Sequence, residues 1–191
     1  MKYISLLVLL IFMTSCEKDQ KNLIAKNQLG DLSNTTKIFE IKSLLKSDSV
    51  VNINAKDAYG RRIASAIKEI EVYDTSGQQV LVIKLGSALD SVSLIKNIRI
   101  LSEKYKTKDG IALGSTFAEV KKNHEVGNIQ SSFKSIIITL KDINAFVSFD
   151  RETLPGNVRF DLEADIKPTM IPDDAKINRF WLNFEAEKNV E

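Results

Sequence analysis

One cysteine and one histidine, Cys16 and His124, are all the chain offers for thiolate or imidazole chemistry. A serine hydrolase would have to use His124, yet this residue follows Phe117 and Val120 at helical spacing, which favours a packed imidazole on an apolar face over a general base. Neither Leu85-Gly86-Ser87 nor Leu113-Gly114-Ser115 has the Gly-x-Ser-x-Gly spacing that lifts a nucleophile onto a strand-to-helix elbow. Gly110 to Gly114 lacks the Lys-Ser or Lys-Thr pair that reaches a phosphate and its metal, so its glycines suit a strand-to-helix turn. Asp161, Glu163, Asp165, Asp173 and Asp174 carry calcium-type oxygens, but without the fixed loop spacing and bend-forming glycine of such a site they read as a solvated face. Paired carboxylates for glycoside hydrolysis can come from distant strands, and no pair is singled out. No catalytic residue, metal ligand or cofactor is therefore assigned. Phe180, Trp181 and Phe184 with Tyr73 offer aromatic surface for a sugar or peptide. Because Phe180, Leu182 and Phe184 alternate as one inward strand face, Trp181 points to the other and is the candidate exposed contact.

The chemistry of Cys16 is read from what precedes it. Lys2 leads into Ile4 to Met13, an apolar run of about ten residues, which is the length of a signal-peptide core and too short for a bilayer of roughly 30 Å. Met13-Thr14-Ser15-Cys16 resembles a bacterial lipobox, which implies a diacylglyceryl group on the sulfur and a mature chain that begins at Cys16. Residues 1–15 are then the leader and 16–22 a lipidated polar tether. Two or three acyl chains on one residue hold a protein at a membrane, where a single chain does so only marginally. A plain secretory peptide with an incidental thiol is the alternative. Glu17 fits sorting to the outer membrane, and Cys16-Glu17-Lys18-Asp19 also looks like the surface-export signal of Bacteroidetes-type lipoproteins; the periplasmic face and the cell surface both stay open.

About 175 residues follow the leader, enough for one domain or two small repeats with a sizeable core. Removing Lys2 takes the formal charge from +2 to +1, which gives no field to steer nucleic acid. With the one thiol consumed, stability rests on packing alone.

The elements that would position these groups form two similar series. Ser33-Asn34-Thr35-Thr36 supplies caps for a helix whose apolar face is Ile38, Ile41, Leu44 and Leu45. Strands are expected at 50–53, 67–73, 80–85 and 94–101, with turns at 57–60, 74–77 and 86–91. Thr116 and Glu119 then have capping-box spacing, and Phe117, Val120 and His124 share the next helical face. Further strands are expected at 126–129, 136–140, 145–149 and 176–184. Glu40-Ile41-Lys42 and Glu119-Val120-Lys121, and likewise Arg99 and Arg179, stand about 80 residues apart. The expected fold class is α+β, antiparallel sheets each with a packed helix, compatible with two tandem helix-plus-four-strand units at 23–103 and 104–187; chance similarity of two amphipathic helices is the competing explanation. The stretch 153–174 holds all three prolines, and Val158, Phe160, Leu162, Ala164 and Ile166 alternate with charges there, which predicts an extended edge strand or lid.

The short strand with Gly30, the helix, the strands 67–73 and 80–85, Ile98-Arg99-Ile100, and the Gly110-Ile111-Ala112-Leu113-Gly114-Ser115-Thr116-Phe117 entry to the second helix together resemble a family of uncharacterised envelope-stress (sigma-E)-regulated bacterial lipoproteins. That resemblance implies an envelope location and a two-part α+β body, and it carries over no catalytic residue. A looser likeness is to the helix-plus-sheet repeats of outer-membrane assembly lipoproteins and β-lactamase inhibitor proteins, which bind proteins. Two functions are weighed. One is a non-catalytic binding or structural module, held to the membrane by its anchor and meeting an envelope protein or glycan; its mark would be an exposed apolar patch near Trp181 or in 153–174. The other is a carboxylate-dependent hydrolase of an envelope or dietary polymer, marked by a pocket with two convergent carboxylates.

Overall fold

The computed structural model describes residues 20–56, 59–86 and 93–184. The expected leader 1–15, Cys16 and the start of the expected tether, the turn positions Asp57, Ala58 and Ser87 to Ser91, and the last residues of the expected second unit, 185–187, lie outside the described residues.

The first described residues, Gln20–Asn22, fall within the expected tether and make a 3-10 turn. Three short strands follow, β1 (Leu23–Ala25), β2 (Gln28–Leu29) and β3 (Leu32–Ser33), then α1 (Ile38–Leu44). Four longer strands come next: β4 (Ser49–Lys56), β5 (Arg62–Tyr73), β6 (Gln79–Leu85) and β7 (Ile95–Ile100). After β8 (Lys106–Thr107), the series α2 (Phe117–Asn123), β9 (Val126–Ser131), β10 (Ser135–Leu140) and β11 (Ala145–Asp150) leads to α3 (Gly156–Arg159) and finally β12 (Arg179–Asn183). The fold is α+β.

The two sets of four strands expected as separate sheets form one antiparallel sheet in the order β4-β5-β6-β7-β12-β11-β10-β9. Its seam is the β7–β12 pair, where Ile100 faces Phe180 and Ile98 faces Leu182. The apolar alternation of both strands explains the union, because each would otherwise leave an open edge beside an apolar face. Register then lines up two unbroken inner rows. Val72, Leu81, Ile100, Phe180, Val147 and Ile138 are successive partners, as are Ile70, Ile83, Ile98, Leu182, Ala145 and Leu140. All twelve are buried, so a slip of one residue anywhere would turn an apolar row to solvent. A second, four-stranded sheet, β3-β2-β1-β8, joins the chain start to the second half through the parallel β1–β8 pair.

The seven-residue helices α1 and α2 each begin with a cap whose N–H donates to a glutamate three residues on. At α2 the Glu119 N–H donates to Thr116 Oγ1 at 3.3 Å, while the Thr116 N–H donates to Glu119 Oε2 at 2.7 Å. The Thr116 N–H, and the Thr116 hydroxyl that donates to the same Oε2 at 2.8 Å, hold the Glu119 carboxyl below the ordinary range. The ring of Phe117 meets Phe149 edge-on at 5.4 Å, which seats α2 on the inner face of the sheet. At α1 the cap is Lys37, not the Ser33–Thr36 run; the Lys37 N–H donates to Glu40 Oε2 at 2.8 Å. Ser33 and Thr36 instead close a turn of their own, Ser33 N–H to Thr36 Oγ1 at 2.9 Å. Ile41 is buried as expected, but Leu44 is exposed at the end of this two-turn helix.

Candidate binding surfaces

The outer face of the sheet carries a mixed row, Glu71, Val82, Arg99, Trp181, Phe146 and Thr139, which are successive partners across six strands. Trp181 lies on this face, opposite to Phe180 and Leu182, with Arg99 on one side and Phe146 on the other. It is half-buried, as is Phe146, while Arg99 is exposed and Val82 is covered. Trp181 is thus one aromatic member of a sheet surface bordered by charge.

Two residues earlier on the same face, Arg179 enters a cleft of about 510 Å³. The cleft opens at one end of the sheet, where β4, β6, β10 and β12 begin and β5, β7, β9 and β11 end. Its rim is Phe133 from the β9–β10 turn and Phe160 and Leu162 from the chain after α3, with exposures of 76, 82 and 54%. Lys134, Arg159 and Arg179 stand among them.

The wall of this cleft departs from the extended strand expected over 158–166. After β11 the chain makes a 3-10 turn, Arg151–Thr153, and then the single turn α3. Arg151 dictates that path. Only 2% exposed, its guanidinium donates from Nε to the Arg159 carbonyl at 2.7 Å and from Nη2 to the carbonyls of Val158 at 3.1 Å and Asp161 at 2.5 Å. Nη1 donates to the Ser132 carbonyl at 3.3 Å and to Ser131 Oγ. Five N–H donors thereby meet five oxygens and tie 158–161 to the β9–β10 turn. The acceptors are mostly main-chain carbonyls, so the residue pattern of 158–166 never had to encode the bend. Farther along, 173–177 bonds back to the start of α2, with Phe117 N–H to the Ala175 carbonyl at 2.8 Å and Ala118 N–H to that of Asp173 at 3.0 Å.

The same end of the sheet holds a second cleft of about 580 Å³, bordered by Lys21, Asn22, Asp48, Lys104 and Tyr105. Lys104 Nζ lies 4.0 Å from Asp48 Oδ1 and 5.1 Å from the centre of the Tyr105 ring. Burial, reinforced by the carboxylates of Asp48 and Asp74, raises the Tyr105 hydroxyl well above the ordinary phenol range. Lys21 and Asn22 place the start of the described chain here.

No family model and no curated protein matches the sequence. Among solved structures, the crystal structure of the uncharacterized protein yfeY from Escherichia coli is similar, with a TM-score of 0.52 and 15% identity over 84% of this chain and 99% of that one. The likeness is one of fold.

The groups weighed for catalysis fall elsewhere. His124 Nδ1 lies 2.6 Å from Asp142 Oδ2, and Nε2 lies 3.4 Å from Thr107 Oγ1. The acid–imidazole–hydroxyl order is that of a nucleophilic triad. Yet His124 and Thr107 are 8 and 5% exposed, and Thr107 Oγ1 already accepts the Ile111 N–H at 3.1 Å. The trio is a latch that fastens β8, the end of α2 and the β10–β11 turn. Asp150 and Glu152 both line the 510 Å³ cleft, but they belong to one short turn that Asp150 caps through the Glu152 N–H. Asp161 Oδ1 likewise accepts the Glu163 N–H at 3.0 Å, and Asp173 pairs with Lys121 at 2.5 Å. Among the described residues no three such side chains gather as metal ligands would. The sequence offered no periodic signal for Arg151 or Phe133; a lone arginine after an apolar strand and a phenylalanine in a Ser-Ser-Phe-Lys turn were the only marks.

Proposed function

We propose that this chain is a lipid-anchored protein of a bacterial envelope, fixed through Cys16, that works as a non-catalytic binding module built from two tandem helix-plus-four-strand units. The duplication is supported by correspondences beyond the element order. Each helix cap donates its N–H to a glutamate three residues on, Lys37 to Glu40 and Thr116 to Glu119. Each cap also bridges the chain just ahead of its unit's last strand, Lys37 to Leu94 and Thr116 to Lys176. The strand order is symmetric about the β7–β12 seam.

The binding reading is carried by the outer sheet row, where Trp181 and Phe146 sit between Arg99 and Thr139 on the face opposite to the helices. Such a face can meet another envelope protein through aromatic contact framed by charge. Anchoring raises the effective concentration of that face toward partners in the same surface layer.

The test uses a photo-reactive residue placed at Arg99 in living cells, with one at exposed Lys122 on α2 as the control. A discrete protein adduct from position 99, absent from 122 and lost on Trp181→Glu, is the expected result; no adduct at 99, or equal adducts at both, overturns it. Cys16→Ser is expected to release the protein from membranes. Retention of that variant in the pellet after alkaline washing would contradict the lipid anchor.

A further inference from the structure

The end of the sheet at which the described chain starts also carries the exposed aromatic rim, and we infer that this end is a second membrane contact: Phe133, Phe160 and Leu162 seat in the headgroup layer of the bilayer that holds the acyl chains. The inference rests on the lipid-anchored reading and adds an orientation to it.

Register establishes the placement. Lys21 and Asn22 border the cleft of Asp48 and Lys104, next to the start of β4 and just beyond the end of β7. From β7 the neighbours are β12, β11 and β10, and the starts or ends of those three strands form the cleft rimmed by the two phenylalanines. Three strand spacings separate β7 from β10 and six separate β4 from β10, so the two clefts stand roughly 14 to 29 Å apart along the same end of the sheet. Four residues, 17–20, lie between Cys16 and Lys21, a span of at most about 18 Å. A membrane at the end of so short a tether therefore lies within reach of the rim while the body stays folded.

The chemistry of the rim fits a headgroup layer. Three large apolar side chains are exposed together, and the Arg159 guanidinium lies 5.4 Å from the centre of the Phe160 ring. Lys134, Arg159 and Arg179 can reach lipid phosphates while the rings enter the boundary with the acyl region. Asp150 and Glu152 line the same cleft and Asp161 and Glu163 are exposed beside it, so cations and carboxylates nearly balance. The contact is accordingly one of apolar insertion, with little dependence on anionic lipid. Two features make three side chains sufficient. Arg151 holds the loop in place, which removes the cost of ordering it on contact. The acyl anchor makes the contact intramolecular, so weak insertion is enough. With this end against the bilayer, the strands stand upright and the outer face around Trp181 looks along the membrane.

The experiment uses the full lipidated chain in vesicles of phosphatidylethanolamine and phosphatidylglycerol that contain a lipid-borne doxyl quencher. Cys16 is the one native cysteine and its sulfur carries the lipid, so a Leu162→Cys or Tyr59→Cys substitution takes a fluorescent probe alone. Tyr59, 86% exposed, lies between β4 and β5 at the opposite end of the sheet. Quenching at 162 about threefold or more above that at 59 is expected. Equal quenching overturns the inference. Phe133→Ser combined with Phe160→Ser is expected to bring the 162 signal down to that at 59, with flotation and circular dichroism unchanged; persistent quenching at 162 in that variant overturns it. Quenching at 162 that appears only after an envelope extract is added overturns it as well and assigns the rim to a protein partner. Failure to float with the vesicles at all overturns the anchor instead.

Discussion

Arg151 is a buried cation whose guanidinium is held by five oxygens, two of which, the Val158 and Asp161 carbonyls, also accept the Asp161 and Ala164 N–H groups at 3.3 Å. Arg151→Met keeps much of the side-chain volume but removes all five bonds and takes from the Arg159 and Ser132 carbonyls the donor that the guanidinium supplies, so a loss of about 3 kcal/mol is expected in urea unfolding. Amide exchange over 156–162 should accelerate in the same variant, because the bonds that bend this segment are gone. Arg159→Met, which removes a side chain whose Nε has no partner, should cost far less. Tyr105 sets a pH dependence of definite sign. Its folded-state value lies above the ordinary phenol value, so the folded chain holds the proton more tightly than the unfolded one. The associated stability is whole below about pH 10 and falls as pH rises beyond it. Alkaline melting curves should therefore drop steeply above that pH, and Tyr105→Phe should flatten them; identical alkaline profiles for both proteins would remove Tyr105 as the cause. Asp74, lowered chiefly by its bond from Ser76, and Glu119, lowered by Thr116, act with the opposite sign, contributing above the ordinary carboxyl range and losing that contribution as pH falls through their folded values.

At the scale of elements, Gly30 is the position least open to substitution. It has φ of +55°, and a Cβ there would fall on the Lys21 carbonyl, so Gly30→Ala combines backbone strain with a clash that only a shift of the chain start can relieve. A loss of at least about 2 kcal/mol is expected by thermal melting. Gly77, also at positive φ but with open space around it, should lose less on the same change. The same contrast between local and distant causes explains what the sequence disclosed. The second helix was legible because its capping box and its Phe117-Val120-His124 face are encoded within ten residues. The eight long strands were legible because alternation records which side faces the core. Strands of two or three residues, β1 to β3 and β8, are too short to carry a period. The path of 158–166 was illegible for another reason: its alternation is real, but Arg151, outside the stretch, overrides it through main-chain carbonyls. Trp181 was placed on its face by parity alone, whereas the rim of Phe133 and Phe160 brings together residues from separate turns, which only the pairing of β9 with β10 and the Arg151 bonds could reveal.

For the whole molecule the decisive fact is that one sheet and one apolar core run through both halves. Ile98 and Ile100 of β7 lie against Leu182 and Phe180 of β12, and all four are buried. The chain start also crosses over, since β1 pairs with β8 and the Thr107 N–H donates to the Ile111 carbonyl within that same connection. If the halves arose as tandem units, the present protein has made them dependent on each other. A fragment of residues 20–103 exposes the edge of β7 beside an apolar face, and one of 104–184 exposes β12 and leaves β8 without β1. Unpaired edges of this kind invite association with other chains. Each fragment alone is therefore expected to aggregate or to lack cooperative melting, while co-expression of the two should recover a soluble one-to-one complex with a native-like circular dichroism spectrum. The seam supplies the discriminating variant: Ile98→Asp places a charge between Ile83 and Leu182 and should abolish recovery of the pair. Arg99→Asp, one residue away on the outer face, should leave recovery intact. Independent, cooperative folding of either half would show instead that the shared sheet joins two self-sufficient domains.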